Sequence, residues 1–198
     1  MLGVTVSRSR AIDVERTAGL NVEFEPRRRQ DADGIMMVAE PTIARQFKPL
    51  FAFYFGGDLP VFSPSMIYEG SPDPSRDQDL NGVTFTDTPW ILSEDNKFRE
   101  SARNAMPEIK GQLGRLFAMG ADAWTLSTRL SLLRFMEDAF VDGQTGILTM
   151  NDNGSVHREQ LWARFENGTP DLLESKTRRG EEVEEPANSE RILKSIQE

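Results

Sequence analysis

Apolar and polar positions along this chain change period several times, and each change marks an element of an alternating α/β succession. Val4-Thr5-Val6 reads as a short strand and residues 7–18 as a polar helix stopped by Gly19. Residues 21–25 alternate, with Val22 and Phe24 on one side and Asn21, Glu23 and Glu25 on the other, the period of a half-buried strand. Residues 34–39 break that pattern, because Ile35-Met36-Met37-Val38 runs apolar without alternation. Such a run predicts a strand covered on both faces, at the centre of a parallel sheet. Pro41 then opens a helix in which Ile43, Phe47, Leu50, Phe51 and Tyr54 fall on one stripe. Pro49 is expected to kink or split that helix, and Gly56-Gly57 to end it. Residues 59–62 supply the next strand, so strand, helix and strand make a βαβ unit.

Further along, residues 69–79 are acidic and proline-containing, the pattern of a loop. Val83 and Phe85 alternate with Thr84 and Thr86 in a short strand that residues 87–90 break. Helical spacing follows over residues 98–105, over 112–119 with Leu113, Leu116 and Phe117 on one face, and over 122–136 with Ala123, Leu126, Leu130 and Leu133. Residues 146–150 and 155–165 form a hairpin through Asn151-Asp152-Asn153-Gly154, where Asn-Gly supplies the turn. The fold class is therefore α/β: a mostly parallel sheet flanked by helices, with a C-terminal β-hairpin. A single domain is expected over residues 1–170. Residues 171–198 read as an acidic, disordered tail in which only Ile192, Leu193 and Ile196 could anchor a short helix.

Charge narrows the function. Of 198 residues 28% are charged and the formal net charge is −9, which argues against phosphate-backbone recognition and hence against nucleic acid as a partner. The chain has no cysteine, so disulfides, thiol nucleophiles and thiolate metal sites are excluded. The first residues lack the apolar core of a secretory signal, and nowhere do about 18 apolar residues run together.

Candidate chemistry is sparse. His157, the single histidine, shares a strand face with Glu159 but has no nucleophile tied to it, and an exposed strand histidine is the simpler reading. Asp73, Asp77 and Asp79 cluster with Arg76, yet they lack the glycine and terminal glutamate of a calcium loop and read as a solvated loop. No phosphate-cradling glycine motif is present. Trp90 and the aromatic run Phe51, Phe53, Tyr54 and Phe55 read as core. Arg27-Arg28-Arg29 reads as a local ion-pair cluster with Asp31 and Asp33, or else as a partner-contact patch. The residues thus point to no catalytic group, no cofactor and no metal.

Five stretches in order, FEPRRRQDADGIMMVAEP, ARQFKPLFAFYFGGDLPVFSPSMIYEG, DLNGVTFTDTPW, RLFAMGADAWTL and GQTGILTMNDNGSVHREQLWARFENGTP, resemble the C-terminal domain of the LppC lipoprotein family, from about residue 7 to residue 170. The resemblance implies a type I periplasmic-binding-protein-like domain used as a protein-binding scaffold. Family members face the periplasm from the outer membrane and activate a class A penicillin-binding protein, a peptidoglycan synthase. They are not themselves enzymes. Membrane attachment would come only through a lipid anchor, and neither its cysteine nor a signal occurs in this sequence. The first lobe is expected to be incomplete, since two lobes need roughly twice this structured length. Arg27, Arg28, Arg29 and Trp90 are the candidate partner contacts. The alternative is a solute-binding lobe for an amino acid or muropeptide, gripped by Ser63, Ser65 and Tyr68 at the end of a strand.

Overall fold

Phe85 lies in the middle of a strand, Val83–Asp87, whose residues are nearly all buried, and the fold is organised around that strand. The structure, a computed structural model, describes residues 3–21, 31–136 and 138–173. Their elements run α1 (Val4–Ala18), β1 (Ile35–Met36), α2 (Pro41–Phe53), β2 (Val61–Ser63), α3 (Pro74–Asp77), β3 (Val83–Asp87), α4 (Pro89–Leu92), α5 (Lys97–Ala105), α6 (Gly111–Phe135), β4 (Val141–Asp142), β5 (Ile147–Met150), β6 (Val156–Glu159), β7 (Leu161–Glu166) and β8 (Thr169–Leu172).

Two sheets result. One has the order β1-β2-β3-β7-β8, with β1, β2 and β3 parallel and β7 and β8 antiparallel. The other is an antiparallel sheet of β4, β5 and β6. Beneath α2 the first sheet buries Val61, Val83, Phe85, Ala163 and Phe165 with Ala44 of the helix. Phe85 and Phe165 stack at 4.9 Å, and Tyr68 lies 5.8 Å from each. The second sheet packs Val141 and Leu148 against Leu133 of α6. Between them Trp90, wholly buried, joins α4 to α6 through Ile109 and Ala118.

The βαβ unit and the hairpin across residues 151–154 form as the pattern predicts. Several other expectations are corrected. Val4-Thr5-Val6 is the first turn of α1, not a strand. Of the apolar run at residues 35–38, Ile35–Met36 is a strand, and among the described residues it sits at the sheet edge, with Met36 70% and Val38 65% exposed. Pro49 does not divide α2, although it removes the donor that would bond the carbonyl of Arg45. Helix α2 ends at Phe53, before the glycines are reached. Phe55 takes the left-handed conformation (φ 61°) while its N–H and that of Gly56 donate to Ala52 and Phe51. Phe53, Tyr54 and Phe55 are exposed rather than core.

Residues 69–79 are not simply loop, since Asp73 caps α3 and Asp77 is buried. The two helices expected over 112–136 are one. The strand expected over 155–165 breaks at Gln160, so that β6 joins the small sheet and β7 the large one. Ordered structure reaches Leu172 through β8, past the boundary expected at residue 170. Residues 22–25 of the strand expected at 21–25 and the tail beyond residue 173, with Ile192, Leu193 and Ile196, lie outside the described residues. Among the described residues no helix is long and apolar enough to cross a membrane.

Candidate functional site

In open α/β sheets the place to look for a ligand is the crevice at the carboxyl ends of the strands. Here that place is filled by an arginine. Arg115, on the first turns of α6, lays its guanidinium over the ends of β2 and β3. Its Nε donates to Oδ1 of Asp87 at 2.9 Å and its Nη2 to Oδ2 of the same carboxylate. Nη2 also donates to the carbonyls of Tyr68 (2.9 Å) and Ser65 (3.4 Å). The Asp87 side chain is 0% exposed and that of Arg115 10%. Asp87 accepts a further bond from the Thr88 N–H at 2.7 Å. The pair pins the long helix to the end of the central strand.

A second carboxylate on α6 makes the matching tie to the small sheet. Asp122 is buried and accepts from the N–H groups of Gln144 (2.6 Å) and Thr145 (2.8 Å) and from the Thr145 hydroxyl (2.6 Å). Gln144 in turn accepts the Trp90 N–H through its carbonyl and the Asn96 amide through its side chain. Close helix packing makes this junction possible. A Cβ at Gly114 would stand 2.7 Å from Nε1 of Trp90.

The residues expected to grip a solute have other duties. The Ser63 hydroxyl donates to the carbonyl of Pro64, and both Ser63 and Tyr68 are buried. The ring of Tyr68 is spent on the Phe85–Phe165 stack and so is not a free aromatic wall. Burial, reinforced by Asp77 and Asp87, pushes its phenol well above the ordinary tyrosine range and keeps it neutral. Ser65, half-buried, lends its carbonyl to Arg115.

Of the expected partner contacts, Trp90 is 0% exposed, so its ring is core and presents no surface to a partner. Arg27, Arg28 and Arg29 lie outside the described residues. His157 is exposed on β6 opposite Thr149.

Asp73 and Asp77 are structural, and Asp79 is exposed. Asp77 binds Arg45 of α2 at 2.7 and 2.9 Å, and Glu69 accepts from both Arg45 and Arg76. Asp73 caps α3, and the Ser75 hydroxyl donating to it at 2.7 Å holds its carboxyl below the usual carboxylate range. A depressed folded value means the cap's contribution is full above the unfolded pKa and is lost as pH falls through the folded one. Replacing Ser75 by alanine is expected to move the Asp73 midpoint upward, toward an ordinary aspartate, in a carbon-detected NMR titration. An unchanged midpoint would contradict this assignment.

A five-stranded mixed sheet flanked by helices, tied through α6 to a small antiparallel sheet, is a mixed α/β scaffold of the periplasmic-binding-protein-like kind. Solved structures agree. The chain superposes on the LpoA (YraM) C-domain from Haemophilus influenzae, a regulator of PBP1A, with a TM-score of 0.63 at 22% identity, covering 85% of this chain and 57% of that one. It also superposes on a "putative branched-chain amino acid ABC transporter" from Chromobacterium violaceum, with a TM-score of 0.51 at 25% identity, covering 80% and 54%.

The chain belongs to the LppC family: the family model described as "LppC putative lipoprotein" matches residues 1–168. Among curated relatives, the Penicillin-binding protein activator LpoA of Vibrio cholerae is 30% identical over 166 residues, which is 82% of this chain and 27% of that protein. The chain thus spans little more than a quarter of the length of the relatives it matches.

Proposed function

We propose that this chain is a non-catalytic docking module of the cell envelope that binds and activates a class A penicillin-binding protein. The observation that carries the reading is the family match over residues 1–168, together with relatives named as activators of penicillin-binding proteins. The filled strand-end crevice supports it. A module whose ligand crevice is closed by a buried ion pair is suited to presenting surfaces to a protein rather than enclosing a solute.

Activation by such a module is a shift of populations. It raises the synthase's rate only as far as it binds the competent conformation more tightly than the idle one. The place of action is the periplasm at the inner face of the outer membrane, as the lipoprotein family implies. Arg27, Arg28 and Arg29, the densest cationic run in a chain of net charge −9, are the first residues to replace when mapping the contact.

Saturable binding of the purified chain to a class A synthase, followed by surface plasmon resonance, is the expected result. No binding at tens of micromolar would overturn the proposal. A thermal-shift screen of amino acids and muropeptides separates the alternative. A clear, saturable stabilisation by one solute would favour a solute-binding lobe instead.

A further inference from the structure

Helix α5 carries two half-buried arginines, Arg99 and Arg103, one turn apart on the same face. Among the described residues neither forms an ion pair. Arg99 commits its donors to backbone, Nη1 to the carbonyl of Trp90 at 2.7 Å and Nη2 to that of Glu94 at 3.0 Å. Nε of Arg103 is buried with no hydrogen-bond partner. Burial, and then the positive charge of Arg103, push the Arg99 guanidinium below the usual arginine range, and the adjacent Glu100 offsets this only in part. A charge withdrawn from water is stable where an opposite one meets it, and the guanidiniums of Arg45 and Arg115 each have a carboxylate. The pair on α5 lacks what those two have.

The end of β8 lies close by in the fold. β8 runs parallel to β3 with β7 between them, so at ordinary strand spacing it lies about 10 Å from β3. The N–H of Leu173 donates to the carbonyl of Trp162, whose partner on β3 is Thr86. The chain therefore leaves the sheet at the end where β3 gives way to α4, and it is to α4 that Arg99 is bonded. Lys176, Arg178 and Arg179 outweigh Glu174 in the stretch that follows, so the arginine pair repels it. Next comes the run Glu181-Glu182-Val183-Glu184-Glu185, which begins eight residues beyond Leu173 and lies outside the family match. Eight residues span about 16 Å on average as a random coil and at most about 28 Å fully extended, enough to reach α5 from the sheet end.

We infer that the face of α5 carrying Arg99 and Arg103 is an anion-binding docking surface, and that its occupant is residues 181–185 of this same chain. The glutamates of that run supply the negative charge that the two guanidiniums lack. Val183, between the glutamate pairs, meets Met106, which follows Arg99 and Arg103 on the same stripe and is 38% exposed. Each contact at such a surface is weak by itself. Tethering makes them count, because a segment on so short a linker is present at an effective concentration on the order of millimolar. The tail of a second copy competes only at protein concentrations of that order. While residues 181–185 are docked, the arginine pair is closed to the carboxylates of any other molecule, and salt opens it.

The absence of cysteine simplifies the test, since Ala187→Cys gives the full chain a single thiol for a nitroxide just past the acidic run. At low salt the label is expected to broaden the amide NMR signals of residues 97–106, cutting their intensity about twofold, and to release them at about 1 M salt, where the Debye length falls to about 3 Å. Arg103→Gln removes a guanidinium that holds no ion-pair partner among the described residues, so the fold stays while most of the broadening is lost. Replacing all the glutamates of residues 181–185 by glutamine abolishes it. The inference is overturned if residues 97–106 are unaffected at low salt, or if their broadening survives either change or high salt. It is equally overturned if the broadening passes between molecules, when a nitroxide-bearing chain is mixed with an isotope-labelled one lacking the thiol. The inference rests neither on family membership nor on synthase binding, so its failure leaves the proposed function standing.

Discussion

Replacing Arg115 by methionine is expected to lower the unfolding free energy by about 3–5 kcal/mol, because it strands the buried carboxylate of Asp87. Against the roughly 5–15 kcal/mol of a typical domain that is a large fraction, and urea melts at neutral pH would show it directly. The loss comes from the uncompensated charge more than from the pair's own attraction. Taking two charges out of water costs nearly what their mutual attraction returns. A second substitution, Asp87→Asn, should therefore restore at least half of the loss. Asparagine is neutral and keeps an acceptor for the Thr88 N–H, which lies 2.7 Å from Oδ1 in the parent chain. A single-variant loss below about 1 kcal/mol would mean that water reaches Asp87 and that the pair is not the pin between α6 and β3.

Truncating Trp90 to alanine is expected to cost about 3–5 kcal/mol and to loosen the two sheets from one another. Its ring fills the seam between them, 5.3 Å from Phe117 and 6.1 Å from Phe98 by ring centroids, with Gly114 pressed against its nitrogen. Trp90→Phe should cost much less. Nε1 of Trp90 is buried without a hydrogen-bond partner, so phenylalanine gives up shape and area but no bond. Differential scanning calorimetry reads both changes. If alanine and phenylalanine cost the same, the seam is not held by the packing of that ring.

Period and punctuation were enough to read the βαβ unit and the hairpin turn, because each rests on contacts near in sequence, and to mark residues 83–86 as a strand without showing that it is the central one. The junction was not legible. On α6 the apolar spacing found Leu133, which is buried, and Phe117 and Leu126, which pack in part, but Leu113, Leu116 and Leu130 are exposed, and the rest of the buried line is Gly114, Ala118 and Asp122, with Arg115 beside it. Tight packing against Trp90 demands small residues, and the two sheets are tied by charges. A hydrophobic pattern registers neither. Asp122 and Arg115 would have been findable only as a question, namely why charged side chains recur on the same side of a helix as Ala118.

Helix α2 carries the opposite lesson. Its apolar stripe is real but wider than the surface that covers it, so Ala44 and Phe51 pack while Ile43, Phe47 and Leu50 stay exposed. The run at residues 35–38 is apolar on both sides and predicted a strand covered on both. The described residues cover one of them.

A docking module without chemistry of its own, as proposed for this chain, acts through the catalytic rate of its partner. Glycan polymerisation and peptide cross-linking by a class A penicillin-binding protein would be followed while the chain is titrated in. A saturable rise in either rate is predicted, the chain itself consuming no substrate when the synthase is left out. Rates that stay flat at concentrations where binding is complete would contradict the account.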